Sequence, residues 1–367
     1  MTRTPTFDDP NSPARFGKDF LLEFLPSIVR SPVREVVCDS LAGDASDRSY
    51  FRVSFKKAPA EEDHASVIVM QLKEPTGASE TDFTRILNFL RGLDLPVPEL
   101  YYYDSVKGLL FLEDCGRATL EDRVRGHPGE TRTYYRKAVE LLARLHGRAT
   151  QNAAPDCPAF HRRFDVDKLM WELDFMLTHY VGGLNGCLPN ADATGEIRRH
   201  FQSLCETLAA QEPCFTHRDY HSRNLIVQNG RLRILDFQDA RMGPCQYDLV
   251  SLLKDSYVRL ENDFRREMID LFIDLKERQV DRRVDRQEFY RIFDWMSVQR
   301  NLKAVGTFAY QSVVNGNDRY LEYIPPTLDY VRQTLEDRSE LASLGDILKK
   351  YLPGLNTQIR GKGFPRP

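Results

Sequence analysis

Between residues 217 and 239 the chain concentrates side chains suited to moving a phosphoryl group. His217-Arg-Asp-Tyr-His-Ser-Arg-Asn224 holds an Asp-x4-Asn pattern, and Arg231-Leu-Arg-Ile-Leu-Asp236-Phe-Gln-Asp239 follows it. Phosphoryl transfer to a hydroxyl needs a carboxylate beside the attacking oxygen. It also needs oxygen ligands that seat magnesium on the nucleotide phosphates. Asp219 would be that carboxylate and Asn224 an amide ligand from the same loop. Asn229-Gly230 is a strong hairpin signal, so the flanking strands, Asn224-Leu-Ile-Val227 and Leu232-Arg-Ile-Leu235, would return Asp236 to their side. Plainer readings compete. Asp and Asn are common turn residues, and His217 and His221, with Asp219 between them, have a spacing that suits zinc. Neither accounts for Asp236, and no third ligand cluster stands nearby.

The elements that must position these residues change character along the chain. Phe20, Leu21, Phe24, Leu25 and Ile28 predict a helix over 16–30. Gly43-Asp-Ala-Ser-Asp-Arg-Ser-Tyr50 is a polar turn, and Phe51, Val53 and Phe55 alternate with polar neighbours as in a strand. After a charged turn over 61–65, Ser66 to Leu72 predicts a second strand, Thr81 to Leu93 a helix, and Leu109-Leu-Phe-Leu112 a further strand ending at Glu113-Asp-Cys-Gly116. Helices dominate afterwards. One starts at Thr131 with Ala138, Leu141, Leu142 and Leu145 on its apolar face and Gly147 as its stop. Others cover Asp248 to Tyr257 and most of 262–340, with the charged stretch Asp281 to Arg291 as an exposed helix. Strands recur only beside Asn229-Gly230. The fold class is therefore α+β: a loose arm (1–15), a β-rich lobe (16–116), a helical lobe (117–355) and a basic tail (356–367).

Bulk composition narrows the partners. With 51 basic against 54 acidic residues, the chain lacks the basic excess a nucleic-acid or membrane-surface binder needs. Seven scattered cysteines without a Cys-x-x-Cys pair suit reduced thiols. No run approaches the roughly 18 apolar residues of a membrane span, and the first residues lack the apolar core of a signal peptide. A cytoplasmic protein acting on a small molecule is the expectation; oligomeric state is not readable.

Four stretches resemble the aminoglycoside phosphotransferase and choline kinase superfamily, relatives of protein kinases. Within it they are most similar to the anomeric amino-sugar kinases of bacterial cell-wall recycling. The stretches are Gly43 to Arg52, Leu112-Glu-Asp-Cys-Gly116, Leu235-Asp-Phe-Gln-Asp-Ala240 through Tyr247-Asp-Leu-Val-Ser-Leu-Leu-Lys-Asp255, and Gln299-Arg-Asn-Leu-Lys-Ala-Val-Gly306. The resemblance implies a protein-kinase-like two-lobe fold, ATP and Mg2+ as cofactors, and transfer to the C1 hydroxyl of N-acetylmuramate or N-acetylglucosamine. It implies Asp219 as catalytic base or orienting residue, Asn224 and Asp236 on the metal, and His217 and Asp248 bracing the loop. Asp44, Ala45, Ser46, Asp47 and Arg48 would cover the phosphates, the backbone of Glu113 and Cys115 would meet the adenine, and Met70 would lie beside the nucleotide. It turns Glu172, Asp239, Asp255, Arg300 and Lys303 toward the acceptor. By spacing alone, Gln299, Arg300 and Lys303 are equally a solvated helix face, Glu172 a surface acid, and Gly43 to Arg52 a plain hairpin turn.

Two departures from the wider pattern matter. Asp-Phe-Gly has become Asp236-Phe-Gln-Asp239, which removes the flexible glycine and suggests a fixed metal site. Met70 stands where the phosphate-pairing lysine of the strand is expected, leaving Lys73, Arg48 and Arg52 as alternatives. An aminoglycoside, choline or homoserine acceptor, or a nucleotide-binding module without turnover, remain alternatives. A peptide acceptor fits less well, because only a short span separates Asp236 from Asp248.

Overall fold

The structure is a computed structural model that describes residues 14–41, 48–57 and 64–356. The N-terminal arm through residue 13, the turn 42–47 with Asp44, Ala45, Ser46 and Asp47, most of the charged turn 61–65 and the tail from 357 lie outside the described residues. Two compact units separate: residues 1–117 with 233–235, and residues 118–232 with 236–367.

The first unit contains α1 (Lys18–Val29), β1 (Val33–Leu41), β2 (Arg48–Lys57), β3 (His64–Leu72), α2 (Asp82–Gly92), β4 (Leu100–Asp104) and β5 (Leu109–Glu113). Its strands form an antiparallel sheet in the order β1-β2-β3-β5-β4. The alternation in β2 sets one face. Phe51, Val53 and Phe55 join Val67, Val69, Leu109 and Phe111 in a core with Leu21 and Leu25 of α1. Phe24 seals the seam, 4.8 Å from the rings of both Phe111 and Tyr102. Paired residues share a face, so Arg52, Ile68 and Leu112 lie on the opposite side with Tyr50, Met70 and Leu110.

Two of these strands escape the sequence pattern. In β1, Glu35 sits at a φ of 52° and the register shifts between Arg34 and Val37, so a bulge breaks the alternation. β4 is Leu-Tyr-Tyr-Tyr-Asp, with nothing to alternate.

The second unit contains α3 (Leu120–Gly126), α4 (Thr131–Gln151), α5 (Val166–Met176), α6 (Ala191–Ala209), β6 (Pro213–Thr216), β7 (Leu225–Gln228), β8 (Arg231–Ile234), β9 (Arg241–Pro244), α7 (Gln246–Leu253), α8 (Asn262–Val280), α9 (Arg286–Val313), α10 (Ile324–Asp337) and α11 (Ala342–Tyr351). The last residues of β8 belong to the first unit. A π-helical stretch, Leu177–Leu184, continues α5.

Three expectations are corrected in this unit. Gly147 does not stop α4; a Cβ there would come within 2.6 Å of Gln279 Oε1 on α8, so the glycine permits close packing. Asp281 to Arg291 is not one helix: Asp281 ends α8 in the left-handed conformation and α9 starts at Arg286. Strands also recur outside the Asn229-Gly230 hairpin, since β6 pairs with β9. Both are short and find partners far along the chain, which local periodicity cannot register.

Gly306 lets α9 approach α5 closely, since a Cβ there would lie 2.7 Å from Met176 Cα. Of the seven cysteines only Cys187 is exposed. Among the described residues no helix is long and apolar enough to cross a membrane.

Candidate active site

The segment after β6 is held open by buried carboxylates. Asp248, at the start of α7, accepts from His217 N at 2.6 Å and Arg218 N at 2.8 Å, and its Oδ2 lies 2.8 Å from His146 Nε2. Those bonds allow Arg218 a φ of 83°, a strained value for a long side chain. Further on, Asp255 accepts from Ser222 N at 2.9 Å and from Tyr257 N at 3.0 Å. Tyr220, fully buried, donates its hydroxyl to Ala138 O. Both ends of the loop are clamped, and Asp219 stands between them.

Asp219 Oδ1 lies 3.0 Å from Lys303 Nζ on α9. Oδ2 has no partner among the described residues. Burial pushes this carboxyl up, but Lys303, Arg218, His221 and Arg300 outweigh it and hold it well below the usual carboxylate range. His221 is half-buried, and that burial with the charge of Arg300 brings it down to about 3, so the ring is neutral.

Asn224 donates its amide to Asp219 O at 2.9 Å and to Asp236 Oδ2 at 3.2 Å. This leaves the Asn224 carbonyl oxygen free of described partners. Asp236 itself sits at a φ of 61°. Gln238 Nε2 donates to Asp236 Oδ1 at 2.7 Å, so the residue replacing glycine fixes the aspartate beside Asn224. Hard oxygen donors on two fixed residues suit a magnesium ion.

Charge crowds the wall beside Asp219. Arg218 pairs with Asp239 at 2.9 Å and lies 3.9 Å from Glu172 Oε1. Lys168 is also 3.9 Å from that oxygen and 3.8 Å from the Trp171 ring centroid. Burial, with Arg218, Arg241 and Lys303 nearby, brings Lys168 down to about 8 despite Glu172. Glu172 is fully enclosed, its other oxygen accepting from Gln299 Nε2 at 3.0 Å.

In the first unit, Arg52 grips Asp114 through Nε at 2.6 Å and NH2 at 3.0 Å, and reaches Gly116 O at 2.8 Å. Burial would raise the Asp114 carboxyl, but Arg52, Ser66 and the Gly116 N–H hold it below its ordinary range. The segment after β5 is thereby pinned to β2. Glu113 commits its side chain to Arg233, whose NH2 also reaches Val97 O. Cys115 N–H donates to no described residue. Met70 is fully buried.

The model of the phosphotransferase enzyme family matches residues 38–282, two thirds of the chain. The chain belongs to this phosphotransferase family. It is therefore an ATP-dependent phosphotransferase. The chain is 31% identical to the N-acetylmuramate/N-acetylglucosamine kinase of Neisseria meningitidis, over 86% of this chain and 91% of that protein. It is 29% identical to the kinase of the same name from Pseudomonas aeruginosa, over 85% and 88%. The fold is protein-kinase-like: the choline kinase of Cryptosporidium parvum superposes with a TM-score of 0.55 at 12% identity, covering 87% of this chain and 93% of that one.

Within this phosphotransferase, the second unit brings Asp219, Asn224, Asp236, Asp239 and Lys303 together with His217 behind them. Gln299 and Arg300 are buried, not a solvated face. Two acceptor candidates are already engaged within the protein. Asp255 is fully buried with both oxygens on backbone amides, so it braces the loop. Glu172 is enclosed and anchors Arg218 and Lys168. Of the three alternative cations, Arg48 opens β2 with its guanidinium 5.8 Å from the Phe83 ring centroid, and Arg52 is bound to Asp114. Near Glu172 stand others that the motifs did not single out, Arg218, Lys168 and Arg241, and Arg52, expected as a phosphate cation, is paired with Asp114. Of the first three only Arg218, inside the His-x-Asp motif, carried a signal.

Proposed function

We propose that the protein is an amino-sugar kinase that passes the γ-phosphate of ATP to the anomeric C1 hydroxyl of N-acetylmuramate or N-acetylglucosamine. The observation that carries this reading is the Asp219 carboxylate, ionised, tied to Lys303 through one oxygen and open at the other. The acceptor hydroxyl would donate to Oδ2. A carboxylate held so far below its usual range is a weak base. It orients the hydroxyl first and takes the proton only as the new O–P bond makes that hydroxyl acidic. The bond from the γ-phosphorus to the bridging oxygen breaks, and ADP leaves.

Asn224 and Asp236 would hold Mg2+, which supplies charge stabilisation for the phosphates. The Cys115 N–H is a free donor for the adenine. Arg48, at the start of β2, and Lys73, just past β3, would be the candidate phosphate contacts. His217 has its backbone on Asp248 and acts by positioning. A fixed base and fixed ligands lower the barrier through orientation and preset charge.

The acceptor class rests on the names of the relatives and on local charge. Lys168, Arg218, Arg241, Arg300 and Lys303 are five cations beside four acids, Glu172, Asp219, Asp239 and Asp255. A net positive wall disfavours polycationic drugs and choline, and suits neutral or anionic sugars.

The test is ADP release with Mg-ATP against N-acetylmuramate, N-acetylglucosamine, glucosamine, streptomycin and choline. Turnover on the N-acetylated sugars, lost by at least about 100-fold in Asp219→Asn, is expected, with phosphorus coupling to the anomeric proton of the product. Turnover on streptomycin or choline alone would sink the reading.

A further inference from the structure

Arg300 is the least explained cation of the site. It lies on α9 one turn before Lys303, so the two side chains leave the same helix face with Cβ atoms about 5–6 Å apart. It is 4% exposed. Its Nε donates to Ser251 Oγ at 2.9 Å, a neutral partner. No carboxylate of a described residue stands within ion-pair distance of it, and its terminal nitrogens meet no described acceptor. Nor are they among the unpartnered nitrogens sealed from solvent.

The other three buried arginines among the described residues have their terminal nitrogens occupied: Arg265, also without a carboxylate, donates NH2 to Leu260 O at 3.1 Å and to Asn262 Oδ1 at 3.0 Å. Arg52 is gripped by Asp114, and Arg332 lies 2.6 Å from both Asp329 and Glu336. A guanidinium keeps its charge and offers a planar fork matched to a carboxylate. Asp219 and Asp255 act on Arg300 only from beyond ion-pair distance, and a buried guanidinium without a contacting anion is costly unless one arrives.

We infer that the terminal nitrogens of Arg300 receive a carboxylate carried by the acceptor, as a bidentate pair. This rests on the amino-sugar reading and divides its two substrates. N-acetylmuramate bears a lactyl ether ending in a carboxylate at O3, where N-acetylglucosamine has a hydroxyl. One helical turn separates Arg300 from Lys303, and Lys303 holds Asp219. That span is about the width of a pyranose ring, so the reacting hydroxyl reaches Asp219 while the carboxylate reaches Arg300. Lys168 and Arg241 add to the positive field without pairing with Arg300.

The experiment measures kcat/KM for both sugars in the wild type, Arg300→Gln and Arg300→Lys. Whatever each variant loses on N-acetylglucosamine, the ratio of N-acetylmuramate to N-acetylglucosamine should fall about 30-fold in Arg300→Gln, the worth of a hydrogen-bonded charge. Arg300→Lys should fall between, since lysine keeps the charge without the fork. Because a buried substitution can cost the fold, the wild type is also assayed with the lactyl amide, expected to be about 30-fold poorer than the acid. An unchanged ratio in a folded variant, or equal rates for acid and amide, overturns the assignment while leaving the sugar kinase standing. Turnover of neither sugar by the wild type overturns the amino-sugar reading and this inference with it.

Discussion

Asp219 and His221 set the acid side of the pH profile. Cations around Asp219 keep it ionised well below the ordinary range, and His221 is already neutral above about 3. Consequently kcat/KM should stay flat from pH 7 down to about pH 5, with no limb near the usual histidine value of about 6.5. A limb there in a pH–rate series would mean that an imidazole takes part. On the alkaline side, Lys168 loses its proton at about 8, so activity on an anionic acceptor should decline above that pH. Stability should not decline on its account. The folded value lies below the unfolded one of about 10.4, so between the two the unfolded chain binds more protons and stability rises with pH. At this scale the sequence was most legible where chemistry is contiguous: Asp219, Asn224 and Asp236 need only a loop and a hairpin. The engagement of Asp255 by two amides was not legible, because a carboxylate facing two amides and one facing a ligand are the same letter. Lys168 and Arg241 went unnoticed because only the packing of distant segments brings them to Arg218.

The elements act as clamps on one loop. Asp248 holds its front and Asp255 its back. Removing the second, Asp255→Ala, leaves Ser222 N and Tyr257 N unpaired and should cost about 3 kcal/mol. Thermal unfolding should show the loss, and kcat should fall while the acceptor KM moves little. A raised KM with an unchanged melting temperature would return Asp255 to the acceptor. The α5–α9 contact is the second clamp, since it sets Glu172 and Lys168 against Lys303. Gly306→Ala drives a Cβ into the Met176 backbone and should destabilise by about 1–3 kcal/mol, measured by denaturant unfolding. If it stabilises, as helix propensity alone predicts, the helices have room to part. Long amphipathic helices and the alternating β2 and β3 were readable because each carries its own period. β1 hid behind a bulge, and β6 and β9 are too short to signal without each other.

Over the whole molecule, a net charge of -3 conceals a positive wall beside Asp219. Screening should expose it. Raising ionic strength from about 0.05 to 0.5 M should lower kcat/KM for N-acetylmuramate more than for N-acetylglucosamine. Equal slopes would mean that the wall is balanced by charges elsewhere. The α+β class, a β-rich part followed by a helical one, was legible; the local charge balance was not, because composition averages over surfaces that never meet. The distribution of thiols has a practical consequence. Burial pushes Cys38, Cys115 and Cys205 up to about 12 and raises Cys157, Cys214 and Cys245, while Cys187 alone is exposed. Since the thiolate is the reacting species, an Ellman titration should count one fast thiol in the native protein and seven in denaturant. The unaltered chain thus comes with a single attachment point for a fluorophore or spin label, just beyond the π-helical stretch that continues α5, and can be labelled there without replacing a residue.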